Sequence, residues 1–111
     1  MVTAGTSKDI ALEEIRNRLS ECLGRIGVEK VIVFGSYARG TQTRRSDIDL
    51  LVVMKTDKRY FDRYDDLRPV FDALQGHAVE ILIHTPEELE RNKERPFMRT
   101  ILAEGVTIYG G

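Results

Sequence analysis

Two aspartates one residue apart, Asp47 and Asp49, follow a Gly35-Ser36 pair with ten residues between Ser36 and Asp47. In an extended strand the period of two puts both carboxylates on one face and Ile48 on the other. Carboxylates held side by side repel, which raises the pKa of one of them unless a cation neutralises the pair. Mg2+ is a hard divalent ion that does this, taking one or two protein carboxylates together with phosphate oxygens of a substrate. Gly35-Ser36 supplies the complementary charge. If a helix starts there, unpaired backbone N–H groups and the Ser36 hydroxyl face an anion, and Gly35 lets it approach the backbone closely. An anion cradle opposite an anion pair implies a metal-bound nucleoside triphosphate.

The elements that must hold these groups are legible on either side. Val31 to Phe34 is a bounded apolar run and reads as a buried strand, Lys30 to Phe34, turning directly into a short helix from Ser36 to about Gly40. Tyr37 either packs beneath this turn or stacks on a base, and Arg39 either pairs with a phosphate or stays solvated. Thr41 to Ser46 is polar and aperiodic, a loop whose Arg44 and Arg45 join Arg39 in a local basic cluster. A second strand is predicted from Ile48 to Met54. A third, Ala78 to His84, carries Glu80 among apolar residues, where an unpartnered carboxylate is costly to bury. If that strand lies beside the second, Glu80 comes level with Asp47 and Asp49. An edge-exposed structural glutamate is the alternative.

The remaining segments read as covering helices and one more strand. Thr6 or Ser7 supplies a helix start, and Leu12, Ile15, Leu19, Cys22, Leu23 and Ile26 make one apolar stripe ending at Gly24 or Gly27. Phe61, Tyr64, Leu67, Phe71 and Leu74 mark another helix, which Pro69 either kinks or restarts. The charged residues within it, Asp62, Asp65 and Asp66 mixed with Arg59, Arg63 and Arg68, read as a solvated face. Thr85-Pro86-Glu87-Glu88 is a helix start with a capping box, Arg95-Pro96 breaks that helix, Phe97 to Glu104 forms the next, and Val106 to Tyr109 is an edge strand. His77 and His84 lack the spacing of metal ligands.

With 111 residues, 41% hydrophobic and 32% charged, the chain reads as one globular domain, residues 1–111, with 1–6 as a loose tail. No apolar run approaches a membrane span and the first residues lack signal-peptide regions, so a cytoplasmic protein is expected. A net charge of -1 offers no general attraction to nucleic acid, and no direct nucleic-acid binding is expected. The single cysteine, Cys22, lies on the apolar stripe and reads as a packing residue.

Gly35, Ser36, Gly40, Ser46, Asp47 and Asp49 at these spacings resemble the signature of the DNA polymerase β-like nucleotidyltransferase superfamily. GSYARG with SDIDLLV is most similar to its minimal nucleotidyltransferase (MNT) branch. The resemblance implies an α/β fold, a small mixed β-sheet with flanking helices, and carboxylates on the exposed sheet face. It implies catalysis with two Mg2+ ions and ATP: Asp47, Asp49 and Glu80 as catalytic and metal-binding residues, and Gly35, Ser36, Arg39 and Arg45 as nucleotide-binding residues. The third acidic residue in the family is usually Asp, so Glu80 is a departure that shifts the carboxylate by one methylene. Relatives of this kind resemble the antitoxins of HEPN/MNT toxin–antitoxin pairs, which implies AMP transfer to a tyrosine of a HEPN-domain toxin. A non-catalytic antitoxin acting by contact, and a small-molecule nucleotidyltransferase using an aminoglycoside-like acceptor, are the alternatives. The exposed side of the Pro69 helix and the segment Arg95 to Arg99 are the candidate partner surfaces.

Overall fold

A computed structural model describes residues 8–110. The tail expected over 1–6 and the helix start at Thr6 or Ser7 lie outside the described residues. Helix α1 (Lys8–Ile26) is followed by β1 (Lys30–Phe34), the single-turn α2 (Ser36–Arg39) and β2 (Ile48–Val53). A 3-10 segment (Tyr60–Leu67) runs into α3 (Arg68–Ala73), and then come β3 (Val79–His84), α4 (Pro86–Asn92), α5 (Pro96–Glu104) and β4 (Val106–Tyr109). The strand order is β3-β2-β1-β4, with β1 antiparallel to both its neighbours and β2 parallel to β3. The expected small mixed sheet with flanking helices is therefore the observed architecture.

The two faces of the sheet are covered unequally. Val31, Val33, Leu50, Val52, Ile81 and Ile83 point to one face and pack against the apolar sides of α1 and α3, where Ile15, Leu19, Leu23, Val70 and Leu74 are all buried. On the other face Ile32, Leu51 and Val53 meet Met98 and Ile101 of α5, a smaller cluster that leaves the neighbouring part of the sheet open. Fully burying one such Leu or Val contributes about 1.5–3 kcal/mol, so most of the hydrophobic stabilisation lies behind the sheet. Cys22 is buried on the α1 stripe, its Sγ donating to the Leu19 carbonyl oxygen at 3.4 Å, and burial pushes its thiol pKa up, as suits a packing residue. Among the described residues no helix is long and apolar enough to cross a membrane.

One alternative is decided and one expectation is corrected. The Phe61 to Leu74 segment restarts at Pro69 rather than kinking there: it is 3-10 up to Leu67, and Pro69 sits in the first turn of a new helix, where its missing N–H costs nothing. Arg63 is not on a solvated face. Its guanidinium is buried and grips Glu88 with two bonds of 2.7 and 2.9 Å, while also donating to the Lys58 and Ile83 carbonyl oxygens. Glu88 completes the predicted capping box with Thr85 as well. One carboxylate thus ties the 3-10 segment, the end of β3 and the start of α4 together, and the Arg63 guanidinium holds its pKa down at about 2.

Candidate active site

The site is assembled across three adjacent strands. β1 ends at Phe34, and the chain turns at Gly35 with φ +73 into α2. A side chain at Gly35 would be strained by that backbone angle, and its Cβ would overlap the Asp49 carboxylate. The turn leaves the N–H groups of Ser36 and Tyr37 without acceptors inside so short a helix, whereas those of Ala38 and Arg39 donate back to the Gly35 carbonyl oxygen. Tyr37 is buried and packs behind the turn, the first of the two roles open to it.

Register then sets the carboxylates. Phe34 lies opposite Asp49 in the antiparallel pair, and Asp49 lies beside Glu80 in the parallel pair, so Glu80 comes level with Asp49. Asp47 stands just before β2, delivered by a Thr43–Ser46 turn in which Ser46 Oγ accepts from the Thr43 N–H at 2.8 Å. The Ile48 N–H bond to the Ala78 carbonyl oxygen at 2.8 Å then pins the start of β2 to β3. Glu80 is exposed on the edge strand rather than buried. Burial first, then the negative charges of Glu80 and Asp47 and a hydrogen bond shared with Glu80, push the Asp49 carboxyl up to about 6, against a smaller opposing effect of Arg39. A carboxylate pair in this condition is what a divalent cation relieves, and its hard oxygen donors suit Mg2+. Among the described residues no three acidic, His or Cys side chains already converge as a closed metal cage. The donor set fits an ion shared with phosphate oxygens better than a dedicated all-protein site.

A cavity of about 300 Å³ opens over these groups, lined by Gly35, Arg39, Asp49, Glu80, Phe97 and Glu104 among others. The basic cluster predicted from sequence is divided. Arg39 faces this cavity and approaches Glu104 of α5 at 3.7 Å. Arg44 lines a different cavity, beside α1 and Tyr37. Arg45 is exposed, and its backbone N–H donates to Thr43 Oγ1. Sequence reasoning places no residue of α5 in the catalytic site. Phe97 and Glu104 reach it because Gly105, whose Cβ would collide with Ile32, lets α5 close down on β1. A glycine next to a helix end is too common a signal to reveal this.

The Gly35-Ser36 turn, the two aspartates at the start of β2 and the third carboxylate on the parallel neighbouring strand define a class of protein, and the chain belongs to it. The family described as the nucleotidyltransferase domain matches residues 12–107, so the chain is a nucleotidyltransferase. It is 36% identical over 104 residues to an inferred protein adenylyltransferase of Methanocaldococcus jannaschii, covering 93% of this chain and 99% of that one. A solved structure described as that of an inferred minimal nucleotidyltransferase aligns with a TM-score of 0.62 and 27% identity, covering 94% of this chain and 98% of that chain. The MNT antitoxin complexed with a tri-AMPylated HEPN toxin of Shewanella oneidensis shares the fold at a TM-score of 0.59 and 17% identity, with 90% of this chain and 73% of that chain covered.

Proposed function

We propose that this chain is a Mg2+-dependent protein adenylyltransferase that transfers AMP from ATP to a tyrosine hydroxyl of a HEPN-domain partner toxin, and so acts as its antitoxin in the cytoplasm. The observation that carries the reading is the Asp49–Glu80 pair, which shares one cavity with Gly35 and Arg39 and feels the charge of Asp47. The name of the M. jannaschii relative and the AMPylated HEPN toxin bound to the structural neighbour support the acceptor class.

Gly35 and Ser36 bind the terminal phosphates of ATP, and Arg39 stands at the same end of the cavity to neutralise them. Asp47 and Asp49, with Glu80, would hold two Mg2+ ions. When bound, the metal supplies charge neutralisation on the triphosphate and acidifies the attacking hydroxyl. Glu80 takes the proton of that hydroxyl, the oxygen bonds to the α phosphorus, and the bond to pyrophosphate breaks. Incubation with labelled ATP, Mg2+ and the product of the adjacent gene tests this. Label enters the partner with the wild-type chain and falls on the order of 10²–10³-fold with Asp47→Ala. Exposure of Glu80 on the edge strand favours one second reading, an antitoxin that neutralises by contact alone. Neutralisation that survives Asp47→Ala selects it.

A further inference from the structure

The turn that carries Ser36 and the strand that carries Asp49 have a second side. Strand alternation sends Ile48 to the opposite face of the sheet from Asp49, into the larger core. There Ile48, Tyr37, Ile15 and Leu74, all buried, line a separate cavity of about 270 Å³ between α1, α2 and the end of α3. Among the described residues it shares no lining residue with the cavity over Asp49. The rest of its lining is polar and carries an excess of positive charge. Arg18 is paired with Glu14 at 2.7 Å, whereas Arg44 is exposed and has no ion-pair partner among the described residues. Gln42 also lines the cavity, and its Oε1 is buried with no donor among the described residues, which is costly for an acceptor out of water.

We infer that this cavity is a second ligand site, for a small molecule that joins a flat ring bearing a hydrogen-bond donor to one anionic group. The ring packs against Ile15, Tyr37 and Leu74, the donor meets Gln42 Oε1, and the anion pairs with Arg44. A cavity that is mostly apolar with a few polar groups to fix orientation is the usual form of a small-molecule site. A cationic ligand does not suit it, because the Glu14 carboxylate is already engaged by Arg18 and the charge left over is positive. A neutral apolar ligand leaves Gln42 Oε1 without a donor and gains nothing from Arg44.

Gln42, Thr43 and Arg44 belong to the loop that delivers Asp47. Among the described residues, the hydrogen bonds made by Gln42 to Ser46 stay within the loop. The Ser46 N–H donates to the Thr43 carbonyl oxygen at 3.1 Å, the Thr43 N–H to Ser46 Oγ at 2.8 Å, and the Arg45 N–H to Thr43 Oγ1 at 3.2 Å. The ends are tied to the domain through the Thr41 N–H on Ser36 and the Ile48 N–H on Ala78. A ligand that bridges the loop to α1 therefore steadies the segment leading into Asp47 from the side opposite the chemistry. An effect on nucleotidyl transfer rests on the proposed function; occupancy of the site does not.

Indole-3-acetate has the ring, the N–H and the carboxylate, and because the chain has no tryptophan its emission reports the ligand alone. Titration of the full chain is expected to give saturable binding by fluorescence, with amide chemical shifts centred on residues 15–18, 42–44 and 74–77. Loss of the donor in 1-methylindole-3-acetate, or of the acceptor in Gln42→Leu, weakens binding about fivefold. Replacing the anion by an amine in tryptamine, or Arg44→Glu at its exposed position, weakens it at least about tenfold. The two altered ligands keep the test decisive should either variant fail to fold. Bound ligand slows exchange of the Thr43, Arg45 and Ser46 amides at least about threefold. Absence of binding, tryptamine bound as tightly as indole-3-acetate, or shifts centred on Gly35, Asp49 and Glu80 overturn the site. Unchanged loop exchange with ligand bound overturns its coupling to Asp47. None of these readouts requires transfer activity, so failure of the transferase reading and failure of this site are told apart.

Discussion

Replacing Asp49 by Asn should make the ligand-free protein more stable while abolishing its activity. The Asp49 carboxyl is pushed from 3.8 up to about 6 by burial and by the charges of Glu80 and Asp47. A folded-state pKa above the unfolded value means that the native state binds the proton more tightly, so ionisation opposes folding. That penalty starts as pH rises past 3.8, grows up to about 6 and is complete above it. A shift of about two units corresponds to about 3 kcal/mol, which the partial solvent exposure of the group reduces to roughly 1–2 kcal/mol. For a chain of this size that is on the order of 5–10 °C in Tm. Thermal denaturation of wild type and Asp49→Asn at pH 7.5 and pH 4, each with and without Mg2+, is the assay. The variant should melt higher at pH 7.5, its advantage should shrink to about a fifth at pH 4, and Mg2+ should raise the Tm of the wild type alone. An Asp49→Asn protein no more stable at pH 7.5, or equally favoured at pH 4, would refute the claim that carboxylate repulsion is held in this site.

Glu88→Gln should cost about 2–4 kcal/mol in urea denaturation at pH 7, because it leaves the buried Arg63 guanidinium without its counter-charge. The Glu88 pKa is held down at about 2, so its contribution is full above pH 4.5 and lost as pH falls through 2; this acid-dependent loss should be missing from the variant. Gly35→Ala should lower stability by about 1–2 kcal/mol through its positive φ, and by crowding Asp49 it should weaken Mg2+-ATP binding at least about tenfold in calorimetry.

Much of the fold is legible in the sequence because local signals and burial agree. The βαβ frame around Gly35, the capping box at Thr85 and the breaks at Pro96 and Gly105 each rest on residues whose backbone preferences leave few options. What sequence does not supply is the partner of each charge. Arg63 sits among Asp62, Asp65 and Asp66, and only the tertiary fold brings it to Glu88, 25 residues on. Glu80 comes beside the aspartates only if the two strands are neighbours, and the parallel register bears that out, but its exposure depends on β3 being an edge, which strand order alone decides. Arg39, Arg44 and Arg45 are close in sequence and read as one cluster. The α2 turn sends Arg39 and Arg44 to different cavities, a division that spacing within a loop does not encode.

The unequal covering of the sheet also bears on how such a chain can change. Its folding free energy is concentrated behind the strands, in the contacts of α1 and α3 with Val31, Val33, Leu50 and Val52, while the chemistry is laid out in front. Substitutions at Phe97 or elsewhere on the outward side of α5 therefore draw little on the stability that holds Asp47 and Asp49 in place. A lineage built this way can trade one acceptor for another over time, with the phosphate-handling apparatus inherited intact.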